Sequence, residues 1–294
     1  VFFVFSALLV LVSVGLFTIK GLNYGIDFKG GIMIEVRTPE AAPIGDMRSR
    51  LSALGLGEVA LQEFGQPTDV LIRIQRQAGG EAAQQVAVAK VKEALGPEVQ
   101  YRRTEFVGPK VSEELFLDGL MAVSFAILAM LVYIWFRFEW QFGLGAVTAL
   151  VHDVLTTIGL FAVLDLEFNL STVAAILTIA GYSINDTVVV YDRVRENLRK
   201  FKKLPLSDLL NDSINQTLSR TLMTSLTTLL ALLSLYFLGG EVIRDFSFAM
   251  IWGVIIGTYS SICLAVPVLL YLNIRRGRGG EPKGLKQAEE AASP

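Results

Sequence analysis

Apolar residues fall in six long runs, at residues 1–19, 115–136, 142–164, 170–191, 217–238 and 246–272. Each is close to the roughly twenty residues that carry an α-helix across about 30 Å of hydrocarbon. Inside lipid the backbone must satisfy its own hydrogen bonds, so runs of this length fold as membrane-spanning helices. The composition points the same way: 52% of the 294 residues are hydrophobic and 18% are charged, against about 25% charged in a soluble domain. A formal net charge of −2 leaves no basic footprint for nucleic acid. The one cysteine, Cys263, lies in an apolar run. Without a second cysteine it forms no internal disulfide and reads as a packing residue. The run at 1–19 has neither a basic segment ahead of it nor a small-residue cleavage site. It therefore reads as a first membrane helix and not a signal peptide, with further chain expected upstream of Val1.

Lysine and arginine in the connections set the orientation. The segment between spans four and five carries Arg193, Arg195, Arg199, Lys200, Lys202 and Lys203, and the tail carries Arg275, Arg276, Arg278, Lys283 and Lys286. The connection 165–169 has no basic residue, and the one between spans five and six has only Arg244. The basic segments, and with them both termini, are expected in the cytoplasm, and residues 27–114 outside. The chain then divides into a first helix and its exit (1–26), an extracytoplasmic domain (27–114), five further spans (115–273) and a tail (274–294).

In 27–114, Ile32, Ile34 and Val36 alternate with polar or longer side chains, as do Val70, Ile72 and Ile74. That is the period of a half-buried strand. Ile44, Met47, Leu51 and Leu54 recur at helical spacing. A second helix is expected from 81 to 95, opened by Gly79-Gly80 and closed by Gly96-Pro97. The resulting strand–helix–strand–strand–helix–strand order is ferredoxin-like. With no His/Cys cluster and no nucleophile–base pair, the domain is expected to bind or brace a partner and not to be an enzyme. In 192–216, Ser207 is an expected N-cap. Leu209, Leu210, Ile214 and Leu218 form an apolar stripe, predicting an amphipathic helix at the cytoplasmic interface before the chain turns into span five. The Gly-rich, charged tail is expected to be disordered.

Polar residues within the spans carry the chemistry, because an Asp or Arg at the centre of a membrane helix costs roughly 2.5–3.5 kcal/mol even on insertion scales. Asp186 in span four is a candidate proton carrier, with Ser183 on the same helical face. The alternative is a structural carboxyl bonded to a neighbouring helix. In span five, Thr217, Arg220 or Thr221, Thr224 and Thr228 recur at spacings of three to four. Arg220 either pairs with Asp186 or snorkels to the surface. His152 and Asp153 share span three. The lone histidine could relay protons, but adjacent helical residues point about 100° apart, so both cannot face one site equally. Asp192, beside Arg193 and Arg195, reads as an interfacial salt-bridge residue. Gly253-x-x-x-Gly257 followed by Ser260 and Ser261 reads as close helix packing, and Pro267 as a kink. There is no phosphate-binding loop and no metal-ligand cluster, so no cofactor is expected and an ion gradient is the natural energy source. One charge moved through about 150 mV yields roughly 3.5 kcal/mol.

Several of these residues sit in longer motifs. Gly25-Ile26-Asp27-Phe28-Lys29-Gly30-Gly31, after span one, resembles the signature that opens the exported domain in the SecD/SecF protein-export family. Residues 181–193 (GYSINDTVVVYDR) and 213–221 (SINQTLSRT) resemble the SecF branch of that family, as does the position of His152-Asp153. The single small exported domain also favours that branch. The resemblance implies an RND-like half of a twelve-helix inner-membrane assembly with SecD, associated with the SecYEG channel. Such an assembly uses the proton-motive force to complete preprotein export. Asp186 and Arg220 fall on the family's proton-coupling positions, and the other carboxylate would come from SecD. Two other readings stay open at this point: an RND-type small-molecule or lipid exporter, and a non-conducting scaffold for SecD and the channel.

Overall fold

The structure, a computed structural model, describes residues 2–57, 59–239, 241–272 and 274. The tail expected to be disordered otherwise lies outside the described residues. The chain enters as helix α1 (Phe2–Lys20) and leaves it through a two-residue strand β1 (Asn23–Tyr24) and a single turn α2 (Ile26–Lys29). A compact unit follows: β2 (Gly31–Arg37), α3 (Ile44–Ser52), β3 (Val59–Phe64), β4 (Gln66–Ile74), α4 (Gly80–Leu95) and β5 (Gln100–Val107). Its sheet runs in the order β3-β4-β2-β5 with every neighbouring pair antiparallel. This is the ferredoxin-like arrangement.

Alternation along β2 sends Ile32, Ile34 and Val36 inward, opposite Ile74, Ile72 and Val70 of β4. Met47 and Leu51 of α3 and Ala87, Val88 and Val91 of α4 close the same core. Gly79 and Gly96, with φ of 121° and 84°, bracket α4. Those are backbone conformations that a side chain would disfavour.

The membrane body is built from α5 (Pro109–Arg137), α6 (Trp140–Leu164), a two-residue strand β6 (Glu167–Phe168), α7 (Leu170–Lys200), α8 (Leu206–Leu238) and α9 (Glu241–Ser260). A π-helical turn (Ser261–Ala265) and a short α10 (Val266–Val268) complete the last span. Among the described residues six helices are long and apolar enough to cross a membrane. The apolar windows of α6, α7 and the last span are 50%, 50% and 61% buried, against 11%, 6% and 17% for α1, α5 and α8. The first three therefore form the interior of the bundle and the other three its flanks.

Two local readings change. Residues 206–238 form one 33-residue helix, with no turn between an interfacial segment and span five. Pro205, not Ser207, occupies the N-cap, and no side chain caps it. The stretch has no glycine or proline to stop propagation. Its stripe also meets protein: Leu209 and Leu210 are buried against Val190, Tyr191 and Val194 of α7. In the last span, Pro267 cannot donate a backbone bond and its ring crowds the carbonyl four residues earlier. The chain widens into the π turn just ahead of it, and the Tyr191 hydroxyl donates to the Ala265 carbonyl at 2.9 Å. Small residues set the closest approaches. A Cβ at Gly253 would overlap the Ile179 side chain, and one at Gly257 would stand 3.2 Å from the Cβ of Ser183.

Candidate functional site

Asp153 is fully enclosed at the centre of the bundle. Its Oδ2 accepts from Ser183 Oγ of α7 at 2.5 Å and from Ser260 Oγ at the end of α9 at 2.7 Å. Its Oδ1 lies 2.9 Å from Nδ1 of His152, which donates in the tautomer that carries hydrogen there. Its own carbonyl takes the Thr156 and Thr157 hydroxyls. His152 folds back onto its neighbour, so the pair meets despite the angle between adjacent positions. Its ring lies beside Tyr259, centroids 6.1 Å apart, and its buried Nε2 has no partner among the described residues. Tyr259 in turn shares a 2.9 Å bond with Ser6 of α1.

A second cell lies one turn further along the same face of α7. Asp186, 8% exposed, accepts from Thr221 Oγ1 of α8 at 2.7 Å through Oδ1. Its Oδ2 is buried with no hydrogen-bond partner among the described residues. Thr187 donates to Ser261 Oγ at 3.3 Å. The two cells share their walls. On α7, Ser183 bonds Asp153 while Asp186, one turn on, is the carboxyl of the second cell; on the last span Ser260 bonds Asp153 while the adjacent Ser261 accepts from Thr187. A shift of α7 against α9 changes both cells together.

No ion pair within 4 Å joins Arg220 to Asp186 among the described residues, and Arg220 is exposed, though its charge still acts on the Asp186 carboxyl. Thr221 points inward, and one step along the helix turns Arg220 about 100° away. The hydroxyl stripe shifts for the same reason. Ser213, Thr217, Thr221 and Ser225 are buried at a spacing of four, while Thr224 is exposed and Thr228 half-exposed. Thr217, Thr224 and Thr228 bond carbonyls of their own helix. Ser225, which sequence reasoning passed over, joins Tyr182 at 3.2 Å and Thr258 at 2.7 Å. The i+4 series from Thr221 would have found it. Asp192 bonds Arg137 of α5 at 2.6 Å, not Arg193 or Arg195. Among the described residues no three His, Cys, Asp or Glu side chains gather as a metal site would require.

The glycine-rich signature after α1 forms the junction between the sheet unit and the body. β1 pairs parallel with β6, Asn23 opposite Glu167 and Tyr24 opposite Phe168. Gly25 donates to the Phe168 carbonyl at 2.9 Å, and a Cβ there would overlap the Glu167 carboxyl. Asp27 accepts from the Leu170 amide at 3.0 Å, at the start of α7. Phe28 stacks among Tyr24, Phe116 and Phe168. Gly30 and Gly31 have φ of 70° and 139°, and a Cβ at Gly31 would stand 2.7 Å from the Ile74 carbonyl. From the sheet unit, Arg73 reaches Glu167. Burial pushes the Glu167 carboxyl above the usual glutamate range; Arg73 opposes this, and Asp245 and Asp27 add to it.

Residues 87–275 match a family described as "Protein export membrane protein SecD/SecF, C-terminal", and residues 15–38 match the SecD/SecF GG motif. The protein translocase subunit SecF of Magnetococcus marinus is 51% identical over 265 residues, covering 88% of this chain and 85% of the relative. That of Rhodobacter capsulatus is 49% identical over 288 residues, covering 93% and 86%. The crystal structure of SecDF from Thermus thermophilus, a translocon-associated membrane protein, superposes with a TM-score of 0.83 at 39% identity. It covers 90% of this chain, which spans 36% of that longer one. A SecDF structure in a super-membrane-facing form gives a TM-score of 0.65 at 37% identity.

Proposed function

The chain belongs to the SecD/SecF family of protein-export membrane proteins, and from that premise we propose that it is the SecF-type subunit of the Sec machinery. It is a multi-pass protein of the bacterial inner membrane. It works with SecD beside the SecYEG channel and uses the proton-motive force, with no cofactor, to complete preprotein translocation. It is a transport subunit, not an enzyme. Both termini lie in the cytoplasm and residues 27–114 outside, as the basic connections suggest.

One observation carries the coupling role. Asp186 is buried, its Oδ1 held by Thr221 and its Oδ2, near the Ser261 hydroxyl, without a partner at full hydrogen-bond geometry among the described residues. A carboxyl so placed can exchange a proton, and taking one changes what the group offers its neighbours, from acceptor only to donor and acceptor. Because α7 and the last span also close the cell around Asp153, a rearrangement at Asp186 reaches the centre of the bundle. Arg220, exposed next to Thr221, would meet a carboxylate supplied by a partner chain. One proton moving through about 150 mV supplies roughly 3.5 kcal/mol, enough to shift a two-state equilibrium a few hundred-fold.

The test is preprotein export in vesicles holding the cognate SecD and channel, with and without a proton gradient. Asp186→Asn, once seen to assemble with SecD, is expected to keep gradient-independent export and lose the gradient-driven increment. Unchanged gradient dependence would assign Asp186 to structure and favour a scaffold.

A further inference from the structure

At the end of the bundle opposite the sheet unit, the ends of α5 and α7 enclose a groove of about 480 Å³ lined by Arg137, Asp192, Arg195, Glu196, Arg199 and Lys200. Both carboxylates are already engaged. Asp192 bonds Arg137 at 2.6 Å, and Glu196 bonds Arg193 at 2.6 Å. Arg195 gives one donor to the Arg137 carbonyl at 3.0 Å, a neutral acceptor that leaves its charge uncompensated. Arg199 and Lys200 are exposed. The groove therefore holds a surplus of guanidinium and ammonium donors, the groups that bind phosphate.

Its depth and surroundings identify the source of that phosphate. The cations begin where the apolar stretches of α5 and α7 end, at headgroup level. Beside them the hairpin between α5 and α6 presents Trp135, Phe136 and Trp140 at 73%, 89% and 63% exposure, the disposition of aromatic side chains that sit at a membrane–water boundary. A basic pocket between helix ends at this level suits an anionic lipid headgroup. We propose that this groove binds the phosphate of an anionic phospholipid, with Arg195, Arg199 and Lys200 as its ligands. This site is separate from the two buried carboxyl cells and does not depend on their coupling role.

Trp135 and Trp140, two of the three tryptophans in the chain, report on it directly. The full chain is reconstituted in phosphatidylcholine vesicles carrying an equal mole fraction of brominated phosphatidylglycerol or brominated phosphatidylcholine. Tryptophan quenching is then compared. The anionic lipid is expected to quench more strongly. Arg199→Gln with Lys200→Gln should lower its relative binding constant by about fivefold per cation removed, while Arg199→Lys retains most of it. Inorganic phosphate at millimolar concentration should not compete. Equal quenching by the two lipids, or an excess that survives the double substitution, overturns the proposal. So does an excess abolished by inorganic phosphate, which would mark a free-anion site. An excess lost when the chain is reconstituted with the subunit it assembles with assigns the groove to a protein contact and equally overturns it.

Discussion

Arg37 grips both oxygens of Asp69, at 2.5 Å each, and Arg102 stands 3.8 Å away on the same sheet. The Arg37 hydrogen bonds outweigh burial and hold the Asp69 carboxyl below the usual aspartate range. A carboxyl lowered in the folded state stabilises it above the ordinary aspartate value, and that stability is lost as pH falls through the lowered value. Asp69→Asn removes the charge and the pH dependence together, at a cost of about 2 kcal/mol at neutral pH. Amide exchange in β2 and β4 of the full chain should show wild-type protection falling toward the variant's on acidification. The same slope in both would contradict it. Residues in the spans differ in how readily their sequence reveals them. Asp186 stands out because a carboxyl in an apolar run is costly. Its partner does not, since Arg220 and Thr221 are one position apart and only the rotation of α8 against α7 decides between them. Ser260 was harder still. A serine in an apolar helix commonly bonds its own carbonyls, as Ser261 does to Gly257 at 2.7 Å, and nothing local marks the one that reaches Asp153.

Element boundaries follow a similar logic. The ferredoxin-like unit was legible because alternation and glycine punctuation agree along each strand and helix. The continuity of α8 was not, because an amphipathic stripe looks alike whether lipid or a neighbouring helix covers it. The π turn was half legible: Pro267 announces a disturbance, but only packing against Tyr191 decides its form. Glycines in the spans offer a matched test of element packing. At Gly253 a new Cβ would overlap Ile179, whose branched side chain has little freedom to move aside. At Gly181, on the exposed side of α7, a Cβ meets nothing within 4 Å. Gly253→Ala is therefore expected to cost about 1–3 kcal/mol through overpacking between α7 and α9. Gly181→Ala should be neutral or slightly stabilising through helix propensity. Thermal unfolding of the purified protein separates the two, and equal effects would mean that α7 and α9 do not pack this closely.

For the whole molecule, the decisive contacts join parts far apart in sequence. The glycine signature could be recognised as a motif, but not as one side of a parallel pairing with residues 167–168, because a two-residue strand carries no periodicity. That junction ties the sheet unit to the start of α7, the helix that bears Asp186, so its rigidity governs how far motion in one part reaches the other. Arg73 and Glu167 are its ion pair, with side chains 14% and 11% exposed. Glu167 sits above its ordinary value because burial outweighs the Arg73 charge, with Asp245 and Asp27 pushing the same way as burial. A carboxyl raised in the folded state contributes stability below the ordinary glutamate value and loses it as pH rises through the raised one. Removing Arg73 takes away the opposing charge and moves that loss to higher pH, where the carboxylate must then sit buried near Asp245 and Asp27. Arg73→Ala should therefore loosen the junction by about 3 kcal/mol at pH 8 and by less at pH 5, because falling pH favours the protonated form of the raised Glu167 carboxyl. Amide exchange at residues 23–25 and 167–170 of the full chain measures this. Loosening that ignores pH would mean that Arg73 acts by packing alone, whereas unchanged exchange at both pH values would mean that the β1–β6 pairing holds the sheet unit without it.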